Sequence, residues 1–123
     1  MTGYKVNIVE TSIQNLSVKD KIKLKDLTNA TRIDQCVGTV IKPVAYAILD
    51  VVNEHSADKN YREFLIVDAD GNKYHTGSES FWTSFKDIWD EMNEAGESDF
   101  DLLIYERESK NYTGKTFLTC SIA

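Results

Sequence analysis

The order of the elements in the last two-thirds of the chain constrains its fold more than any other feature of the sequence. A long run rich in β-branched and aromatic residues, at 44–52, is followed by two shorter runs that a DADGN turn joins at residues 68–72. Runs of this kind are typical of strands, and the glycine of the turn can adopt a positive φ. A helical stripe and two alternating runs follow. The sequence therefore predicts the order β-β-β-α-β-β.

The apolar period changes from about 2 to about 3.6 residues between positions 78 and 96. Ser78 or Ser80 can cap the start of this helix, and Gly96 can end it. The side opposite the apolar stripe is mostly acidic, so we expect an amphipathic helix that buries the stripe against the strands. The stripe consists of Phe81, Phe85, Ile88, Trp89 and Met92.

The order β-β-β-α-β-β is that of the OB-fold, a small Greek-key barrel that binds single-stranded nucleic acid or sugar between two of its loops. We therefore predict a mainly β protein, an OB-fold-like β-barrel over residues 36–123, with one helix and an N-terminal extension over residues 1–35. Its first strand is expected to be long and bent at Gly38 or Pro43. A chain of 123 residues fits a single domain, because two domains would each be too small for a stable core.

The two loops that would flank the groove, residues 53–62 and 106–115, each carry a tyrosine and basic residues. Aromatic rings beside cations stack on bases and hold phosphates without reading sequence. Packing in half-buried strands explains each tyrosine better when it is taken singly, whereas Tyr61 and Tyr112, taken together on the two loops, fit either explanation. We expect phosphate contacts at Arg62, Arg107, Lys110 and Lys115, and stacking at Tyr61, Tyr74, Tyr105, Tyr112 and Phe117.

The sharpest local charge pattern is KDKIKLK at residues 19–25. With the period of a strand, Lys21, Lys23 and Lys25 share one face, and Ile22 and Leu24 share the other. This pattern predicts a basic stripe that holds phosphates. An edge strand whose lysines prevent pairing with other chains is an open alternative.

A net charge of −6 argues against nucleic-acid binding, because phosphate contacts dominate that affinity. The charge is unevenly distributed, however. Residues 1–42 hold seven basic and four acidic residues, whereas seven carboxylates lie between residues 87 and 101. The objection weakens if these carboxylates lie away from the groove.

The spacing of the remaining reactive residues predicts no enzyme and no metal or cofactor site. His55 and His75 have no local partner at metal-ligand spacing. A calcium-loop pattern that starts at Asp68 has Lys73 where the loop needs glycine. Cys36 and Cys120 have no CxxC spacing, and we expect both thiols to be free and buried.

No apolar run approaches the roughly 20 residues of a membrane span, and the N-terminus lacks the pattern of a signal peptide. The sequence therefore predicts a cytoplasmic protein that has no contact with a membrane.

Three stretches of the chain carry a family resemblance. They are KPVAYAIL at residues 42–49, DGNKYHTGSESFWTSF at 70–85 and SKNYTGKTFLTC at 109–120. They resemble small phage or mobile-element proteins of Gram-positive bacteria that bind single-stranded DNA. The resemblance spans most of residues 20–123 and implies a role in DNA replication or recombination within the bacterial host cell. The chain departs from many replicative single-strand binders because it ends in TCSIA, without an acidic tail.

The main hypothesis is therefore a sequence-nonspecific single-stranded DNA-binding protein, with homo-oligomers and contacts from the acidic helix to replication proteins as further expectations. The alternative is an acidic protein-binding module, such as a phage-encoded inhibitor that mimics DNA and occupies a host nuclease. A third hypothesis is an assembly protein that uses the helix face as an interface.

Overall fold

Two sheets and two helices form the part of the chain that the computed structural model describes, residues 4–53, 60–108 and 114–123. The strands are β1 (Tyr4–Thr11), β2 (Thr31–Arg32), β3 (Val40–Ile41), β4 (Pro43–Asn53), β5 (Asn60–Asp68), β6 (Lys73–Thr76), β7 (Leu102–Glu108) and β8 (Thr116–Ile122). The helices are α1 (Val18–Lys25) and α2 (Glu79–Glu94), and a 3₁₀ turn covers Ile33–Gln35. In these residues, neither helix is long and apolar enough to cross a membrane.

The first sheet has the order β1-β4-β5-β6-β2. Its central strands form an antiparallel meander, as the sequence predicts. The turn between β5 and β6 is stabilised by the Asp68 carboxylate, which accepts hydrogen bonds from the backbone N–H groups of Asp70 at 3.0 Å and Asn72 at 2.8 Å. Gly71 has a φ of +85°, which favours glycine at this position. The predicted DADGN turn is confirmed.

The second sheet has the order β3-β7-β8 and is connected to the first through a bent strand. β3 and β4 follow each other with only Lys42 between them, yet β3 pairs with β7 and β4 pairs with β1 and β5. Gly38, with a φ of +86°, precedes β3, and Pro43 begins β4. The predicted bend is found next to Pro43, where the expected long strand is divided into two strands of different sheets, whereas Gly38 lies in a turn before them.

Helix α2 buries its aromatic stripe between the sheets. Ser78 caps its start, because its Oγ accepts a hydrogen bond from the backbone N–H of Phe81 at 3.2 Å. Phe81, Trp82 and Phe85 are buried, and the Trp82 ring stacks on that of Phe64 with centroids 4.7 Å apart. The capped amphipathic helix is confirmed, and Trp82 adds a buried ring outside the predicted stripe.

The prediction of a closed β-barrel is wrong, because the two sheets do not close on each other. β2 pairs in parallel with β6 and occupies the edge that closure would need. β8 instead has α2 beside it: the Ser80 hydroxyl donates to the Leu118 carbonyl at 3.3 Å, and the Thr119 hydroxyl to the Ser84 hydroxyl at 3.0 Å. The order β-β-β-α-β-β from β4 to β8 is confirmed. The predicted class, mainly β, is too narrow, because the domain is mixed α/β and its helices contribute to the core.

Residues of the predicted N-terminal extension supply β1, α1 and β2. β1 pairs along β4 from Tyr4, opposite Asn53, to Thr11, opposite Ala47. This segment is therefore an integral part of the first sheet.

The predicted strand at residues 19–25 is wrong, because these residues lie in α1. Ser17 caps the helix by accepting a hydrogen bond from the Asp20 N–H at 3.1 Å. Leu24 is buried, whereas Ile22 is 60 % exposed. Lys21, Lys23 and Lys25 therefore do not share one face of a strand, and Ile22 and Leu24 do not share the opposite face.

The two helices lie on opposite faces of the first sheet. Tyr46 and Phe64 share a core with the aromatic residues of α2. Their strand neighbours Ala47 and Leu65 pack with Leu24 of α1 in a second core. Because successive residues of a strand point to opposite faces, the sheet separates α1 from α2.

Candidate nucleic-acid interface

β7 and β8 extend past β3 as a two-stranded ribbon. β3 pairs only with Leu102 and Leu103, whereas β7 and β8 pair from Leu102 to Glu108. The Gly38 N–H donates to the Ile104 carbonyl and the Ile104 N–H donates to the Thr39 carbonyl, and beyond Ile104 no described strand pairs with that edge of β7. Residues 105–108 and 116–119 therefore form a projecting ribbon with two faces.

The outer face of the ribbon carries two aromatic rings and a cation. Arg107 lies directly across from Phe117 in the register, and Tyr105 lies two residues earlier on the same face. Phe117 is 38 % exposed, Arg107 is exposed and Tyr105 is half-buried. Diagonal neighbours on a sheet face are within reach of aromatic side chains, so the three side chains form one continuous patch.

The other face of the ribbon carries its carboxylates. Glu106 lies opposite Leu118, and Glu108 lies opposite Thr116. The Thr116 hydroxyl donates to Glu106 Oε2 at 2.6 Å, and Leu118 packs against the core. Strand alternation thus separates both glutamates from Arg107, although the three residues are adjacent in sequence.

Lys115 is exposed and lies at the end of the ribbon, two residues before Phe117. Gly114 precedes it, with a φ of +81°. The other two predicted residues of this loop, Lys110 and Tyr112, lie outside the described residues. The structure therefore brings together Tyr105, Arg107 and Phe117, with Lys115 beside them.

Tyr61 and Arg62 lie in β5, at a different place in the fold. Tyr61 is 40 % exposed, and Arg62 Nε contacts Asp50 Oδ1 on β4 at 3.2 Å. β7 runs antiparallel to β3, so the ribbon projects beyond the N-terminal end of the bent strand that β3 and β4 form. Tyr61 and Arg62 pair with β4 near the C-terminal end of that strand. The described residues thus place the two halves of the predicted groove at opposite ends of that strand.

Tyr74 is part of the first core. Its hydroxyl donates to Asp68 Oδ2 at 2.9 Å, and its ring packs against the buried cluster that includes Ile66. Burial and the bond to the Asp68 carboxylate raise the pKa of Tyr74 to about 12. Its place in the core gives no support to the prediction that Tyr74 stacks on bases.

The lysines of the predicted basic stripe lie on α1, across the first sheet from α2. Lys21 and Lys23 are exposed and Lys25 is half-buried. Lys73 of β6 contacts the C-terminal end of α1, where its Nζ donates to the backbone carbonyls of Lys23 and Asp26. No described contact connects these lysines with the ribbon.

A second polar site, which the sequence did not indicate, lies between β5, β6 and β2. His75 Nδ1 is 2.7 Å from Glu63 Oε1, and both side chains are largely buried. With Arg32 and Asp34 they line a pocket of about 230 Å³. Glu63 and His75 are on neighbouring strands and twelve positions apart, so a search for closely spaced motifs does not find them. Among the described residues, no group of three or more His, Cys, Asp or Glu side chains could hold a metal ion.

Comparisons of the chain with protein-family models, with curated proteins and with solved structures found no match.

Proposed function

We propose that this protein binds single-stranded DNA, without strong sequence preference, on the outer face of the ribbon. The observation that carries the proposal is the pairing of Arg107 with Phe117 on an exposed face, with Tyr105 beside them. A stacked base gains about 1–3 kcal/mol on such a ring, and only an unpaired strand offers its base faces freely. The cation holds the neighbouring phosphate in any sequence.

The acidic net charge of the chain argues against DNA binding, but the ribbon keeps its acidic and basic side chains on opposite faces. The glutamates next to Arg107 lie on the opposite face, where one of them accepts a hydrogen bond from Thr116. Arg107 and Lys115 alone, as phosphate contacts, make log K fall with log[salt] with a slope of about −1.4, since each phosphate on a single strand contributes about −0.7, and every further contact makes the slope steeper.

The biological setting that we propose is phage or mobile-element DNA replication or recombination in a bacterial cytoplasm. The order β-β-β-α-β-β and the bent strand shared by two sheets support an open, OB-like arrangement. Lys21, Lys23, Lys25, Tyr61, Arg62, Lys110 and Tyr112 stay predicted contacts, and the outer face of the ribbon is the part of the site that the geometry supports.

Fluorescence anisotropy with a labelled strand of about 20 nucleotides, longer than the site of one OB-fold, tests the proposal. The same sequence as a duplex is the matched competitor. The single strand should bind more tightly, and its affinity should fall as salt rises. Equal affinity for the duplex, or no binding at low salt, would contradict the proposal.

A second candidate function is the binding of a basic protein surface, such as the DNA-binding site of a host nuclease. The outer side of α2 exposes Asp87, Glu91 and Glu94, which form no ion pair with any other described residue. Only Asp90 has a described partner there, Lys86 at 2.8 Å. Under this alternative, the double variant Asp87→Lys, Glu91→Lys should lose nuclease inhibition, and the wild-type protein should not bind single-stranded DNA.

A further inference from the structure

The outward side of α1 combines an exposed apolar pair with lysines. Val18 is 74 % exposed and Ile22 is 60 % exposed, one helical turn apart. The other residues of the helix are four lysines, one aspartate and the buried Leu24. None of the ion pairs among the described residues includes these lysines. We call Val18, Ile22 and the flanking Lys19 and Lys23 the α1 surface. An exposed apolar patch that polar residues surround is typical of a protein–protein interaction site.

The C-terminal half of α2 has the same apolar spacing with the opposite charge. Ile88 and Met92, four positions apart, are only partly buried where they pack against the core. Asp87 and Glu91 flank them and are exposed. We call these four residues the α2 surface. Over its whole length, α2 carries five carboxylates and one lysine.

The α1 surface cannot meet the α2 surface of the same copy, because the first sheet lies between the two helices. Tyr46 and Phe64 contact the α2 side of the sheet, while Ala47 and Leu65 contact the α1 side. Only a second molecule can therefore bring the two surfaces together.

We infer that the α1 surface of one copy packs on the α2 surface of another copy. The apolar pairs of the two helices pack together, and Lys19 and Lys23 lie against Asp87 and Glu91, where opposite charges steer and align the contact. The two surfaces differ and lie on opposite faces of one protomer. Each end copy of an assembly therefore still has one unoccupied surface that can bind a further copy. Such a heterologous contact builds an open chain of copies rather than a closed dimer. It does not depend on DNA, and it uses none of the ribbon residues that carry the proposed function.

Sedimentation velocity of the full chain without DNA, over a range of protein and salt concentrations, tests this assembly. We expect the mean mass to rise with protein concentration at low salt and to fall as salt screens the charges. Two charge-reversed variants, Lys19→Glu with Lys23→Glu and Asp87→Lys with Glu91→Lys, should each associate at least about tenfold more weakly, because like charges then face each other. An equimolar mixture of the two variants should associate again, because opposite charges are restored.

The apolar part of the contact has its own matched pair of variants. Ile22→Ser should weaken association, whereas Val9→Ser, which alters a 49 % exposed valine on β1, should not. A thermal melt identifies any variant that does not fold, and the remaining variants then decide the outcome. A wild-type protein that stays monomeric at low salt, or a mixture of charge-reversed variants that stays monomeric, would overturn the inference. If the wild type is monomeric and the Lys19, Lys23 variant loses single-strand affinity, α1 contacts DNA instead.

Discussion

Arg107 on β7 lies directly across from Phe117 on β8, and both side chains leave the ribbon on its outer face. Glu106 and Glu108, on either side of Arg107 in the sequence, leave on the other face. The period of the strand thus produces a cationic, aromatic face from a locally acidic sequence. A base can stack on Phe117 while its phosphate meets Arg107.

Loss of the cation on the ribbon should weaken single-strand binding. Arg107→Ala removes a phosphate contact, so the salt slope should become shallower by about 0.7 and affinity should fall uniformly across sequences. Glu108→Gln is the matched control, since it changes an exposed charge one position away but on the opposite face. Anisotropy titrations at several salt concentrations measure both effects. Equal slopes for wild type and Arg107→Ala would show that Arg107 contacts no phosphate.

Tyr74→Phe should affect the fold and leave DNA binding unchanged. The variant loses the hydrogen bond from the Tyr74 hydroxyl to Asp68, whose carboxylate is buried at the β5–β6 turn. A hydrogen bond to a charged group contributes about 1.5–3 kcal/mol to the free energy of unfolding. Urea unfolding and single-strand titration of the same preparation separate the two effects. An unchanged free energy of unfolding would contradict the structural role of the Tyr74 hydroxyl.

Protonation of Asp68 should destabilise the protein in acid. Burial acts to raise the pKa of Asp68, but hydrogen bonds from Tyr74, Asn72 and Asp70 outweigh it and hold that pKa below its usual range. The native state therefore favours the ionised carboxylate. This contribution to stability is present above the pKa of an unfolded aspartate, about 3.9, and is lost as the pH falls through the lower native pKa. In Asp68→Asn, we expect lower stability at neutral pH and a smaller loss in acid, measured by urea unfolding over a pH series.

The two thiols should react only after unfolding. Cys36 and Cys120 are buried, and burial raises the pKa of Cys120 to about 12 and also raises that of Cys36. The thiolate is the reactive species, so at about pH 8 a thiol reagent such as DTNB should label the native protein slowly. Both thiols should be labelled rapidly in urea. Rapid labelling of the native protein would mean that the core opens far more often than its packing indicates.

Local patterns predicted the second half of the fold well. The turn at residues 68–72, the cap at Ser78 and the aromatic period of α2 are short-range signals, and each is found where the sequence places it. Barrel closure depends on which strand edges meet, and this is decided by the distant pairing of β2 with β6. No local pattern in TR at residues 31–32 indicates that partner.

The lysine-rich segment shows why an alternating pattern can mislead. KDKIKLK alternates as a strand does, but seven residues with only two apolar positions also fit a short helix. The decisive signal was Ser17 followed three residues later by Asp20, which resembles a capping pattern and marks a helix start. For the candidate site, the sequence indicated Tyr105, Arg107 and Phe117 individually. Their common face depends on the β7–β8 register, which a single sequence does not determine.

The single-strand affinity of Phe117→Ala tests whether the outer face of the ribbon stacks on bases. The control is Val9→Ala, which truncates an exposed apolar side chain on β1, and a thermal melt of each variant verifies folding. Loss of one base–aromatic stack should cost about 1–3 kcal/mol, or about 5- to 150-fold in affinity, whereas Phe117→Trp, which keeps an aromatic ring, should retain binding. A folded Phe117→Ala that binds single-stranded DNA as tightly as Val9→Ala and the wild type would contradict the proposed interface.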